Sequence, residues 1–171
     1  MFLQRFRALL LVSALLTWPG RAAHAQDPIS GFQGVAWGRT REAILARFGT
    51  PREDLQQDSL ERINYVQGPD SGYLFGLTRR HGLVAGIRIL PLVMGGRCSA
   101  AVGTVKAQLT RQFGGLAPLE TKTADSSEES CGGYKEWNLL WRDGAGNRVL
   151  LSVDVGKHRI YISYSSRFSP F

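Results

Sequence analysis

Cysteine and histidine are scarce in this chain of 171 residues, which contains two cysteines and three histidines. No CxxC pair is present and no histidine stands near either cysteine in the sequence, so neither a redox centre nor a zinc site is expected. An isolated pair of cysteines in an oxidising compartment most simply forms a disulfide. We therefore predict a structural bridge between Cys98 and Cys131.

Common catalytic motifs are missing as well. The sequence has no GxSxG, Ser-x-x-Lys or HExxH pattern and no glycine loop of the kind that holds phosphate. The acid pairs Glu53-Asp54 and Glu128-Glu129 are adjacent in sequence, so they do not face one another as the carboxylates of a glycosidase do. We interpret them as solvated loop charges. These absences predict no cofactor and no metal site, and they favour a protein that is not an enzyme.

Neither clustered positive charge nor a long apolar run is present. The formal net charge of +7 includes Arg5, Arg7 and Arg21, without which 18 Lys and Arg stand against 14 Asp and Glu. The remaining basic residues are scattered, whereas nucleic-acid binding depends on clustered positive charge. The apolar run from Ala8 to Thr17 is shorter than the roughly 20 residues that span a bilayer. We predict no nucleic-acid partner and no transmembrane segment.

The first 25 residues have the pattern of a secretory signal peptide. Arg5 and Arg7 precede the apolar run, and the small-residue motif Ala23-His24-Ala25 marks a cleavage site. The expected mature chain, residues 26–171, has the length of one domain with a core of its own. We predict a location in the periplasm or outside the cell.

The mature sequence contains the same series of patterns twice. The stretch "WGRTREAILARFGTP" (37–51) predicts a helix with Thr40 at its N-cap, and a second helix is predicted over 99–113. Three alternating segments joined by short turns follow each helix, which predicts antiparallel strands. The expected fold is α+β, with two αβββ repeats (about 31–90 and 98–166). They would form one antiparallel sheet of about six strands with both helices on one face.

A sheet covered by helices on one side leaves its other face open. Alternation predicts that Ala85 and Ile87 point to the helices, and that Val84 points away from them. Arginine and aromatic residues are favoured in the centres of protein interfaces. The candidate binding residues on the open face are Arg88, Leu140, Arg142, Arg148, Leu150 and Tyr161.

The stretch 37–51 resembles the module of the SmpA/OmlA outer-membrane assembly lipoproteins and of the β-lactamase inhibitor proteins. The matching positions are Gly38, Thr40, Phe48, Gly49 and Pro51, with a second copy at Phe113, Gly114 and Pro118. The resemblance implies a binding module without catalysis, in which a sheet face or loop holds another protein. This sequence lacks the lipidation cysteine of the lipoproteins.

The leading hypothesis is therefore a secreted or periplasmic binding protein that holds a protein or envelope component on its helix-free face. One alternative is a periplasmic enzyme, whose sign would be a pocket that joins His81 or His158 to an acid such as Asp70 or Asp154. Another is a small outer-membrane-associated protein, suggested by the terminal Phe171. An open sheet edge could also pair with a second copy.

Overall fold

The computed structural model of the protein describes residues 29–57, 59–68, 70–92, 97–113, 116–124 and 131–170. The helices in these ranges are α1 (Arg41–Phe48) and α2 (Cys98–Gln112). The strands are β1 (Gly31–Phe32), β2 (Val35–Ala36), β3 (Glu53–Gln57), β4 (Leu60–Gly68), β5 (Ser71–Thr78), β6 (Gly82–Pro91), β7 (Leu119–Ala124), β8 (Tyr134–Arg142), β9 (Arg148–Asp154) and β10 (Arg159–Ser165). The predicted signal peptide lies outside the described residues.

Eight of these strands form a single sheet in the order β3-β4-β5-β6-β10-β9-β8-β7, while β1 and β2 form a separate hairpin. All the strand pairs are antiparallel. Each helix is followed by four strands, and the last strands of the two halves, β6 and β10, pair in the middle. The α+β class with an antiparallel sheet is confirmed, but the sheet has two strands more than the predicted six.

The two additional strands, β3 and β7, lie at the edges of the sheet. Solvent reaches most of their side chains, so their sequences EDLQQ and LETKTA do not show the apolar alternation of a half-buried strand. Glu53 and Asp54 were predicted to lie in a loop and instead belong to β3, whereas Glu128 and Glu129 lie outside the described residues. Likewise, no strand was predicted over residues 119–124, which form β7.

Both helices occur where the pattern predicts them. Thr40 occupies the N-cap position of α1 in extended conformation, although its side chain makes no capping hydrogen bond. Gly49 ends α1 with a φ of +77°, a backbone conformation that glycine adopts without steric cost. The hydroxyl of Tyr65 donates a hydrogen bond of 2.9 Å to the Gly49 carbonyl, which fixes this end against the sheet. Neither α1 nor α2 has the length and apolar character needed to cross a membrane.

One hydrophobic core joins both helices to the same face of the sheet. Ile44 of α1 and Val102 of α2 are fully buried in a cluster that also contains inward-pointing residues of the central strands. The Phe48 ring at the end of α1 lies 5.1 Å from the ring of Phe75 on β5, and the Phe113 ring after α2 lies 6.3 Å from that of Trp141 on β8. Each helix therefore covers one half of the sheet, and both lie on one side of it.

A β-bulge in β6 changes which residues point to the helices. Gly76 pairs with Ala85 and Leu77 pairs with Leu83, so Val84 is an extra residue without a partner on β5. One extra residue moves every later side chain of a strand to the opposite face.

The prediction for four residues of β6 is therefore corrected. Ala85 and Ile87 lie on the helix-free face, opposite Ser165 and Ser163 of β10, and Val84 is buried rather than exposed. Arg88 pairs with Ile162, which is buried in the core, so it lies on the helix side and not on the open face.

The predicted disulfide between Cys98 and Cys131 is confirmed. Their Cα atoms are 5.3 Å apart and both residues are fully buried. Cys98 is the first residue of α2, and Cys131 lies just before β8. The bridge therefore ties the start of the second helix to the sheet.

Replacing both cysteines with alanine is expected to lower the free energy of unfolding by about 3 to 4 kcal/mol, because the unfolded chain regains the entropy of an open loop. Chemical denaturation of residues 26–171 would measure the loss. Wild type treated with dithiothreitol serves as the control and should lose a similar amount. A double variant as stable as the oxidised protein would contradict a structural role for the bridge.

Candidate functional site

The helix-free face carries five of the six candidate binding residues. Residues directly opposite each other on neighbouring antiparallel strands point to the same face, so the strand register shows where each side chain lies. Leu150 opposes Leu140, and Arg148 opposes Arg142. Tyr161 opposes Ser152 on the same face. The sixth candidate, Arg88, lies on the other side of the sheet.

The centre of this face is a band of apolar side chains that runs across the strands. Its members are half-buried, except for Leu119, which is 65% exposed at the edge. We call this set the apolar band: Leu74, Ile87, Ile89, Tyr161, Leu150, Leu140 and Leu119. The described part of the chain places no helix over it.

Charged residues border the apolar band on two sides. On one side, three arginines share a single cross-strand row: Arg62, Arg148 and Arg142. On the other side, Asp154 is paired with Lys157 at 3.2 Å, and Arg159 is paired with Asp70 at 3.1 Å. The arginine row therefore gives one border of the face a positive charge, while carboxylates at the opposite border already have partners within the chain.

The opposite side of the sheet contains a cleft of about 690 Å³ between the β1–β2 hairpin and α2. Arg88 and the buried Tyr164 lie at its floor, and Arg47 of α1 lies at its rim. Burial raises the pKa of Tyr164, and the charge of Arg88 acts in the opposite direction. The glutamines Gln33, Gln108 and Gln112 also line the cleft, and no aspartate or glutamate does.

The β1–β2 hairpin that forms one wall of this cleft is held by a close contact in the sheet. The Phe32 ring lies on Gly86 of β6, where a Cβ atom would overlap it. The same ring lies 5.1 Å from the ring of Phe75 and 5.2 Å from that of Tyr164. The hairpin therefore packs on strands from both halves of the molecule.

The chain just before the hairpin is held by the turn between β8 and β9. The Asp143 carboxylate accepts hydrogen bonds of 2.9 Å from the backbone N–H groups of Ile29 and Asn147. Burial raises the pKa of Asp143, but these bonds and the Asn147 amide outweigh it, so the pKa lies below its usual value. Trp37 adds a second restraint on Ile29, because its indole N–H donates to the Ile29 carbonyl.

A charged cluster joins the edge strand β7 to α2 and β8. The Glu120 carboxylate accepts from Lys106 of α2 at 2.7 Å, from Lys122 at 2.9 Å and from the Trp137 indole at 2.7 Å. The two lysines lower the pKa of Glu120 to about 2. The Lys122 ammonium also lies 4.3 Å from the centre of the Trp137 ring. The sequence indicated no such cluster, since no strand was predicted where β7 lies.

The two histidines of the enzyme alternative do not come together. Both lie in hairpin turns, but His81 and His158 are at opposite ends of the sheet. His158 shares its turn with Asp154, whose carboxylate is bonded to Lys157. His81 lines a second cleft with Glu42 and Glu61, yet its ring stacks on Phe168 at 4.6 Å. No hydrogen bond joins that ring to a carboxylate in the described ranges, so no acid orients it as a base. Nor do the described residues hold a group of three or more His, Cys, Asp or Glu that could bind a metal.

Comparison with known proteins gives structural likenesses at low sequence identity. No protein-family model matches the chain, and no curated protein matches it. A DUF4309 family protein from Bacillus subtilis is similar with a TM-score of 0.46 and 15% identity, over 79% of this chain and 84% of that one. An extracellular protein from Bacillus anthracis that contains a SCP domain gives a TM-score of 0.41 and 15% identity, over 76% of this chain. This chain spans 44% of the second protein.

Gly86→Ala is expected to lower the free energy of unfolding by about 1 to 3 kcal/mol, because the added methyl displaces Phe32 from the sheet. Gly103→Ala is the matched control, since a Cβ there meets nothing within 4 Å on the exposed side of α2. The control should gain about 0.5 to 1 kcal/mol from its helix propensity. Thermal and chemical unfolding of both variants would measure the difference. Equal effects of the two substitutions would contradict the proposed contact.

Glu120→Gln is expected to cost about 1 kcal/mol at pH 7, a modest value because water and salt screen the partly exposed cluster. Since folding lowers the pKa of Glu120 from 4.5 to about 2, its stabilisation is complete above about pH 5 and disappears as the pH falls towards 2. The difference between wild type and variant in urea should therefore shrink on acidification. Glu136→Gln, which removes a carboxylate from β8 without touching either lysine, is the control. A difference that is independent of pH would contradict the role of Glu120.

Proposed function

We propose that this is a secreted or periplasmic binding protein without catalytic activity, and that it holds a protein partner on its helix-free sheet face. The apolar band carries this proposal. It crosses the sheet from β5 to β7 on the face that neither α1 nor α2 covers. Leucine, isoleucine and tyrosine side chains in a contiguous patch at the surface are typical of a binding site, because their burial against a partner is favourable.

The charges around the apolar band support a partner with an apolar centre and carboxylates on one border. Arg62 and Arg142 lie along a single side of the band, where acidic groups would complement them. A second copy of this chain fits less well, because Asp154 and Asp70 already pair with Lys157 and Arg159. A different protein that supplies its own carboxylates fits the face better.

The sheet edges are less suited to binding. The edge strands β3 and β7 carry Glu53, Asp54, Glu120 and Lys122, and charged side chains on an edge oppose pairing with another strand. Dimerisation through an edge stays a prediction. The division into two repeats also stays a prediction, and the helix followed by four strands in each half supports it. The resemblance to the SmpA/OmlA and β-lactamase inhibitor modules stays a prediction as well.

The location in the periplasm or outside the cell belongs to the same proposal. The bridge between the buried Cys98 and Cys131 is of the kind that persists in oxidising compartments. The signal-peptide pattern of residues 1–25 supports the same location.

A photo-crosslinking residue at Leu140 tests the docking face, with the same residue at Ala107 on the exposed side of α2 as its control. In envelope extract from the native cells, Leu140 should give one covalent product with a distinct protein, and Ala107 should give none. Leu150→Glu should abolish the product, because it places a charge in the centre of the apolar band. Thr110→Glu, an exposed change on α2, should leave the product intact.

Three results would contradict the proposal. The first is no product from Leu140, and the second is a product that persists in Leu150→Glu. The third is a product that contains only a second copy of this chain, which would show that the face forms a homodimer. Mass spectrometry of the product distinguishes the third result from a different partner.

A further inference from the structure

The cleft on the helix side of the sheet is built from three parts of the fold. The β1–β2 hairpin forms one wall, α2 forms the other, and β6 and β10 contribute the floor. Its volume of about 690 Å³ is in the range of small-molecule sites. It lies on the opposite side of the sheet from the apolar band, so its occupant is independent of the docking partner proposed above.

The cleft has a positive charge that its own lining does not balance. Arg88 at the floor and Arg47 at the rim come from different elements, and no carboxylate lines the space between the walls. Neither arginine forms an ion pair within the described ranges, whereas Arg41 and Arg159 are paired with Asp54 and Asp70. An anion that enters the cleft would therefore meet guanidinium groups that no carboxylate of the described residues neutralises.

The hairpin tip at the mouth of the cleft is a two-residue turn that consists of Gln33 and Gly34. Gln33 has a φ of +52°, in the left-handed region that residues other than glycine rarely adopt. The next residue, Gly34, has a φ of +75°, and the Arg47 guanidinium lies where a side chain at Gly34 would stand. Positive φ at both central residues is usual for a two-residue connection between antiparallel strands. The tight turn thus leaves room for Arg47 beside the cleft.

We propose that this cleft binds a small solute that carries a carboxylate or phosphate group. Arg88 takes the anionic group at the floor, since a guanidinium matches the geometry of both oxyanions. Arg47 adds positive charge at the rim. Gln33, Gln108 and Gln112 provide amide donors and acceptors for the neutral, polar part of the solute.

Calorimetry and thermal unfolding of the mature chain with citrate and with pyrophosphate test this site and distinguish the two anion classes. Sodium chloride at the same ionic strength is the baseline. At least one probe should raise the melting temperature of wild type above the chloride baseline. Arg88→Gln should weaken its binding roughly tenfold or more. Arg47→Gln should weaken it by less, because that residue is exposed at the rim.

Arg52→Gln is the matched control, since it removes the same charge from an exposed position that lines neither the cleft nor the arginine row, and it should bind the probe as wild type does. Circular dichroism at 25 °C in chloride alone verifies that each variant is folded. Equal binding by wild type and Arg88→Gln would overturn the proposal, and so would the lack of any shift beyond chloride. Leu150→Glu should retain anion binding, so failure of the docking face and failure of the cleft are distinguishable.

Discussion

The contact between the Phe32 ring and Gly86 is the constraint on which the rest of the structure depends. Gly86 lies on β6, one of the two central strands, and its lack of a side chain lets the ring rest directly on the sheet. Phe32 thereby touches Phe75 from the first half of the chain and Tyr164 from the second. One aromatic side chain thus joins both halves of the core and fixes the hairpin that forms a wall of the cleft.

The bulge at Val84 gives the two sides of the sheet their different chemistry. Without the extra residue, Arg88 would lie on the open face and Ile87 in the core. The bulge instead places Ile87 and Ile89 in the apolar band and Arg88 in the cleft. The one extra residue of the bulge therefore determines the residues of both the proposed docking face and the proposed anion cleft.

The ends and edges of the sheet are held by polar groups. Asp143 anchors the chain at Ile29, and its partner Asn147 accepts a hydrogen bond from the backbone N–H of Arg167. At the β7 edge, Glu120 connects that strand to Lys106 of α2. The bonds to the Asp143 and Glu120 carboxylates are charge-assisted, and they connect parts of the chain that are distant in sequence.

The sequence by itself determined the helices, the six half-buried strands and the disulfide, because each follows from periodicity, helix-stop residues or cysteine number. It also placed Leu140, Arg142, Arg148, Leu150 and Tyr161 on one face, since period-2 alternation holds along unbroken strands. Only the tertiary structure decided the side on which Arg88 lies, because a bulge depends on the pairing of β5 with β6 and has no local signature. Sequence alternation also did not reveal the edge strands β3 and β7, because exposed strands have no apolar pattern. The cleft could not be predicted either, because its residues come from the hairpin, both helices and two strands that only folding brings together.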